Sequence, residues 1–264
     1  MPERSLSSAV RAARGALAVL CAFVAPAAFA NGNVQVGADY HRLTDGFGEW
    51  KGLYVRGSEW RDPTRVYSYE LVSAERFGDR GQFASFGIQQ TFSPKWYATT
   101  TVGFGASDFI FPEWTADAAV SRKWLANGQL VTTLGVGGNR ATDGHQDTRA
   151  LVSAAWYAPH SWVLEAGWRP NHSNPGDVNS QASYLAATWG REGQQYWIAR
   201  HDVGREAYQL IGDATALVDF PSNSTSLAWR RWWTKRCGTH VQVEHYANPN
   251  YERNGVQLAV FCDH

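Results

Sequence analysis

The sequence has 264 residues, and its 24 basic and 24 acidic side chains balance to a formal net charge of zero, so nothing in it points to nucleic acid as a partner. Charged residues make up only 18%, against 14% aromatic residues and 25 Gly, a balance that favours short strands and tight turns over helices. Past the N-terminus no run approaches ~18 consecutive apolar residues, which excludes a helical membrane protein. A β-barrel is not excluded, because alternating apolar residues leave little trace in the mean hydropathy, here −0.38.

Residues 1–30 read as a secretory signal peptide. Arg4, Arg11 and Arg14 form a basic start, an apolar run follows from Ala16 to about Ala28, and Ala28-Phe29-Ala30 is an A-x-A cleavage site. A lipoprotein anchor at Cys21 does not fit, because Val19-Leu20 is not a lipobox. The mature chain, 31–264, is then expected to be one domain.

Along that chain, turn signals recur about every 33 residues, at Asp62-Pro63, Ser93-Pro94, Asn127-Gly128, Pro159-His160 and Glu192-Gly193, with Cys237-Gly238 arriving late. Longer polar or Gly/Pro-bearing segments lie between them, at 43–47, 78–81, 108–113, 141–146, 171–180, 203–223 and 248–253. The unit is therefore tight turn, strand, longer loop, strand. Strands are predicted in order at 33–42, 48–60, 64–77, 82–92, 95–107, 114–125, 129–140, 146–158, 161–170, 181–191, 194–202, 224–235, 238–247 and 254–262, with part of 205–217 continuing a strand. That is an all-β, antiparallel, up-and-down transmembrane β-barrel of about 14 strands, with 12 as the alternative count. A strand tilted across a bilayer needs ~9–11 residues, which these supply.

Alternation within the strands supports a greasy outside and a polar inside. In "SWVLEAGWRP" Trp162, Leu164, Ala166 and Trp168 oppose Glu165 and Arg169; in "WTADAAVSRKW" Trp114, Ala116, Ala118 and Val120 oppose Asp117 and Lys123. By the same parity Glu70, Asp117, Lys123, Glu165, Arg169 and Glu244 are expected to line the lumen as paired charges. Trp60, Trp96, Trp124, Trp156, Trp162, Trp189, Trp197 and Trp233 lie close to tight turns and are expected to form an aromatic girdle at that membrane boundary. Trp50, Trp114, Trp168, Tyr40 and Tyr246 lie toward the longer loops and would supply the opposite girdle. One strand resists, because "AWRRWWTK" puts Arg230 and Arg231 on opposite faces, one of them toward lipid unless a bulge or a rim position intervenes.

Several features together resemble the YaiO family of outer-membrane β-barrels: a signal segment, hairpins of similar texture, an early strand with Tyr67 and Tyr69 ending in Glu75–Gly78, the turn Phe92–Pro94, and a Gly-rich strand leading to Phe111-Pro112. The resemblance implies a porin-like fold in the bacterial outer membrane and a weak link to surface polysaccharide, and it carries no catalytic residues. One departure stands out: such barrels usually finish on an aromatic residue that assists assembly, whereas Phe261 here is followed by Cys262-Asp263-His264.

Cys237 and Cys262 flank the last predicted hairpin at its open end. In an exported, oxidising compartment they are expected to form a disulfide. No cofactor and no metal is expected, since the eight His residues show no ligand spacing. The nearest catalytic candidates are His172 and Ser173, whose consecutive positions point them in opposite directions on a strand. Expected partners are outer-membrane lipid, the barrel-assembly machinery and polysaccharide. The leading reading is a non-enzymatic conduit or surface scaffold. The alternatives are an outer-membrane lipid-modifying hydrolase and a soluble secreted β-sandwich that binds carbohydrate through Trp.

Overall fold

The computed structural model describes residues 31–212 and 215–264, so the predicted signal peptide and Cys21 lie outside the described residues. Among the described residues there are fourteen strands: β1 (Gly32–Leu43), β2 (Glu49–Asp62), β3 (Arg65–Arg76), β4 (Asp79–Ser93), β5 (Trp96–Ala106), β6 (Trp114–Trp124), β7 (Leu130–Arg140), β8 (Gln146–Ala158), β9 (Trp162–Asn174), β10 (Val178–Arg191), β11 (Gln195–Gly212), β12 (Thr215–Trp232), β13 (Cys237–Ala247) and β14 (Glu252–Asp263). Each pairs antiparallel with its sequence neighbour, and β1 pairs with β14, so the sheet is a closed barrel. Closure leaves no sheet edge within the wall. It also excludes the sandwich, whose two stacked layers would have open edges.

Period-two alternation sets the faces. The outer face carries Leu53, Leu71, Phe86, Phe104, Leu134, Val136, Leu185, Leu258 and Val260, all exposed, with the charged residues on the opposite parity through the middle of these strands. A solvent-exposed apolar belt of this kind matches a surface bathed by acyl chains. No helix among the described residues is long and apolar enough to cross a membrane, and the crossing elements are strands.

Two segments differ from their predicted form. Residues 78–81 are not a longer loop: β3 and β4 are joined by the two residues Phe77 and Gly78, both at positive φ (52° and 84°), as a tight hairpin turn needs. Nor is 203–223 a loop: the part of 205–217 expected to continue a strand does so, and the strand structure extends over the rest of the described segment as well. Both β11 and β12 run for 18 residues. Pairing of β10 with β11 stops at Ala182↔Gly204, and pairing of β12 with β13 begins at Asn223↔Ala247. Beyond those points the hairpin is a two-stranded ribbon paired only with itself, out to Gly212↔Thr215.

Candidate functional site

The barrel has a turn end and a loop end. At the turn end, Trp96, Trp124, Trp156, Trp162, Trp189, Trp197 and Trp233 are exposed. All except Trp233, which lies in the turn after β12, share the outer parity of their strands. Trp162 and Trp189 are 6.3 Å apart, and Trp197 stacks on Trp229 at 5.8 Å, an outward tryptophan not picked out from the sequence. Arg122, also of outer parity, lies over both Trp96 (5.2 Å) and Trp124 (3.7 Å), and the Trp124 indole N–H donates to Thr132.

Trp60 is exposed as well but departs from this set in parity. It pairs with Val66, on the parity of the buried Tyr54, before the register shift between Trp60 and Asp62, so it belongs to the inner face. The Arg230–Arg231 conflict resolves as a rim position. Arg231 faces out beside the turn, where it donates to Gln195 and lies over Trp233, while Arg230 faces in, 3.4 Å above the Phe261 ring. Phe261 is itself an inner residue, 1% exposed and edge-on to Trp232. Cys237 and Cys262 are register partners and form a disulfide at this end, joining β13 to β14.

Inside, charges meet across strands. Asp117 accepts from the Arg149 guanidinium at 2.7 and 2.9 Å. Gly137 makes the room, since a Cβ there would lie 2.0 Å from Asp117 Oδ1. Glu165 accepts from the Tyr184 hydroxyl, Arg200 lies 3.9 Å over the Tyr184 ring, and Asp202 takes both Arg200 and Arg169. Glu244 takes Arg253, Lys123 lies over Tyr97, and Glu70 shares the inner parity of β3. The partners Arg149, Asp202, Tyr184 and Arg253 were not singled out from the sequence. Each is separated from its counterpart by about one or two hairpins or a single loop, so its parity was legible but its partner was not.

At the loop end the mouth is filled. Leu43, Trp50, Tyr246 and Tyr251 are buried together, with Phe47, Phe77 and Leu217 packed on them. Trp50 and Tyr246, expected in an outer girdle, are therefore inside, whereas Trp114, Trp168 and Tyr40 are exposed. Residues 107–113 fold inward as well: Asp79 accepts the Phe109 and Ile110 N–H groups at 2.9 and 3.1 Å, and Phe111 stacks on Phe83. The β11–β12 ribbon crosses over this plug. Glu206 accepts from Tyr246, Gln209 meets the Tyr251 hydroxyl at 2.9 Å, and the Tyr208 ring stacks on His145 at 3.6 Å while its hydroxyl donates to Asp143 at 2.9 Å. Burial and the Asp143 carboxylate push the Tyr208 hydroxyl pKa up to about 12. Burial pulls Asp143 upward, but the hydrogen bonds from the His145 N–H, Tyr208 and the His145 ring outweigh it and leave its carboxyl below the usual range.

His172 and Ser173 are not brought together. The His172 ring meets Asn179 and Asn174, whereas Ser173, 1% exposed, faces the interior without a hydrogen-bond partner among the described residues.

The family model for the YaiO membrane beta barrel domain matches residues 31–209, well over half of the chain. The chain belongs to that family. No curated protein sequence matches it. This YaiO barrel is also similar in fold to an anion-selective porin from Comamonas acidovorans (11% identity, 89% of this chain and 98% of that one, TM-score 0.52). It is similar as well to a bacterial polysaccharide outer membrane secretin (9% identity, 88% and 97%, TM-score 0.56) and to the CymD monoaromatic hydrocarbon channel (6% identity, 89% and 88%, TM-score 0.60). At these identities the likeness is one of fold. The YaiO chain is an outer-membrane β-barrel protein, and its outer face is in contact with membrane lipid.

Proposed function

We propose that this YaiO barrel is a narrow conduit through the outer membrane, shut at its outer mouth by the β11–β12 ribbon and serving surface polysaccharide. Bacterial barrels keep short turns on the periplasmic side and longer loops outside, which makes the loop end the outer one. In this reading the turn-end tryptophans other than Trp60 sit at the periplasmic boundary of the bilayer. Glu70, Asp117, Lys123, Glu165, Arg169 and Glu244, with their cross-strand partners, line the path. The mature chain is the barrel of 31–264, after removal of residues 1–30.

The ribbon carries the reading. Past Gly204 and Asn223 it has, among the described residues, no backbone pairing outside itself, and it is held across the mouth by side chains such as Tyr208, Gln209 and Glu206. A surface scaffold has no use for a closure fastened in that way, whereas a gate does. The saccharide element comes from the family, and the fold shared with a polysaccharide secretin accords with it.

The test is single-channel conductance in planar bilayers. The wild-type protein is compared with a variant in which residues 205–221 are replaced by an Asn-Gly turn. Rare small openings in the first and sustained larger ones in the second are expected. If the trimmed barrel migrates as a folded, heat-modifiable species and still conducts no more than a protein-free bilayer, the conduit is wrong and the scaffold reading takes its place.

A further inference from the structure

Two chambers of about 240 Å³ each lie on either side of Trp50 and Arg76, one beneath the aromatic plug and one under the ribbon, and both residues line both chambers. The acids of the lower chamber are already engaged. Glu244 is bridged to Arg253, and Asp39 faces His41 Nε2 at 3.4 Å. Arg76 forms no ion pair among the described residues. Its guanidinium instead lies over the Trp50 ring at 5.1 Å and the Phe111 ring at 5.6 Å. Ring contacts occupy the faces of a guanidinium and leave its in-plane N–H donors unspent.

The same chamber holds three buried polar atoms with no hydrogen-bond partner among the described residues: His41 Nδ1, Trp50 Nε1 and Arg253 Nε, with Trp50 itself only 6% exposed. Gly255 gives the His41 ring its place, since a Cβ there would fall 1.9 Å from Nδ1. Buried polar groups are ordinarily satisfied, and a cluster of unsatisfied ones around an unpaired cation is the chemistry of a binding site. The ligand must offer a negative charge to Arg76 and hydrogen-bonding groups to its surroundings. An apolar acid would leave the unpartnered Trp50 and Arg253 donors unmet. A phosphate dianion would feel the charges of Asp39 and Glu244 about twice as strongly as a monoanion does.

We propose that Arg76 and the chamber beneath it bind a sugar acid, its carboxylate on Arg76 and its hydroxyls among His41, Trp50 and Gln242. The proposal rests on the saccharide element of the reading above and makes it specific, but it does not require that the barrel conduct. The experiment is calorimetric titration of the detergent-solubilised, full-length mature protein with D-glucuronate, D-glucose and acetate, repeated on Arg76→Gln and on Lys123→Gln. Glucuronate should bind wild type about tenfold or more tighter than glucose or acetate, the gain expected from one charge-assisted contact. Arg76→Gln should lose that preference, and Lys123→Gln, at the other end of the lumen, should keep it. Glucuronate binding no tighter than glucose or acetate would overturn the site, as would a preference that survives in a folded, heat-modifiable Arg76→Gln barrel. A barrel that passes this test and conducts nothing even when trimmed would keep the site and lose the conduit.

Discussion

Lifting the ribbon should be controlled by Tyr208 in graded steps. Tyr208→Phe removes the 2.9 Å hydrogen bond to Asp143 and keeps the ring stacked on His145, whereas Tyr208→Ala removes both. A hydrogen bond to a charged group contributes ~1.5–3 kcal/mol, which partial exposure here reduces to about 1. The stacked pair contributes a further ~0.5–1.5 kcal/mol. Phe should therefore raise the lifted population roughly fivefold, and Ala, at about 2 kcal/mol, roughly thirtyfold. Amide hydrogen exchange reads this directly and independently of conduction. Protection over 205–212 and 216–220 should fall in that order, while amides of the barrel wall stay as they are. Equal exchange in wild type and Tyr208→Ala would refute the idea that these side chains hold the ribbon down.

The same contact should depend on pH at both extremes. Tyr208, raised to about 12, lends its support to the closed ribbon fully below its ordinary value near 10 and loses it as pH rises through about 12; the lowered Asp143 carboxyl lends support above the ordinary carboxylate range and loses it as pH falls through its own pKa. Exchange at 205–212 should thus be slowest between about pH 5 and 9 after correction for intrinsic rates, and a flat profile would count against the pairing. Reducing Cys237–Cys262, which spans a separation of 25 residues, should cost about 3.5 kcal/mol in the loop-entropy model, seen as a lower urea midpoint in lipid vesicles. Leu185→Arg, at a mid-strand outer position 66% exposed, should cost ~2–4 kcal/mol in the same assay if acyl chains surround it, against at most ~0.5 for an ordinary wet surface.

Much of the fold could be read from the sequence because a bilayer enforces alternation. Residues such as Leu134, Val136 and Leu185 must face acyl chains, so their parity marks the wall without ambiguity. Where that constraint ends, the reading fails. The ribbon passes beyond the wall and carries polar groups on both faces, so only part of 205–217 was legible as strand and the stretches around Gly204, Asp219 and Pro221 looked like loop. Trp60 was placed at the right level by its nearby turn, but it was given the wrong face because proximity to a turn does not fix parity. Trp50 and Tyr246 were drawn outward by the same habit, although Trp50 shares its parity with Gly52 and Tyr54 and could have been assigned inward. The disulfide was legible because both cysteines end one hairpin. Arg76 was not, since its significance lies in the acids it fails to meet, and that needs the positions of Asp39 and Glu244 on distant strands.

The fourteen-stranded wall and the ribbon obey different mechanics. Each strand of the wall is gripped on both flanks, so moving one means tearing two ladders. The ribbon is a cantilever whose outer edges carry no backbone ladder among the described residues, held only by side chains such as Tyr208 and Gln209, and an isolated hairpin of that kind is marginal in water. In the proposed gate its root near Gly204 and Asn223 would be the hinge, with the cylinder beneath held fixed by its paired ladders. An epitope or fluorophore spliced in at its far tip would report that motion without disturbing the membrane-embedded staves.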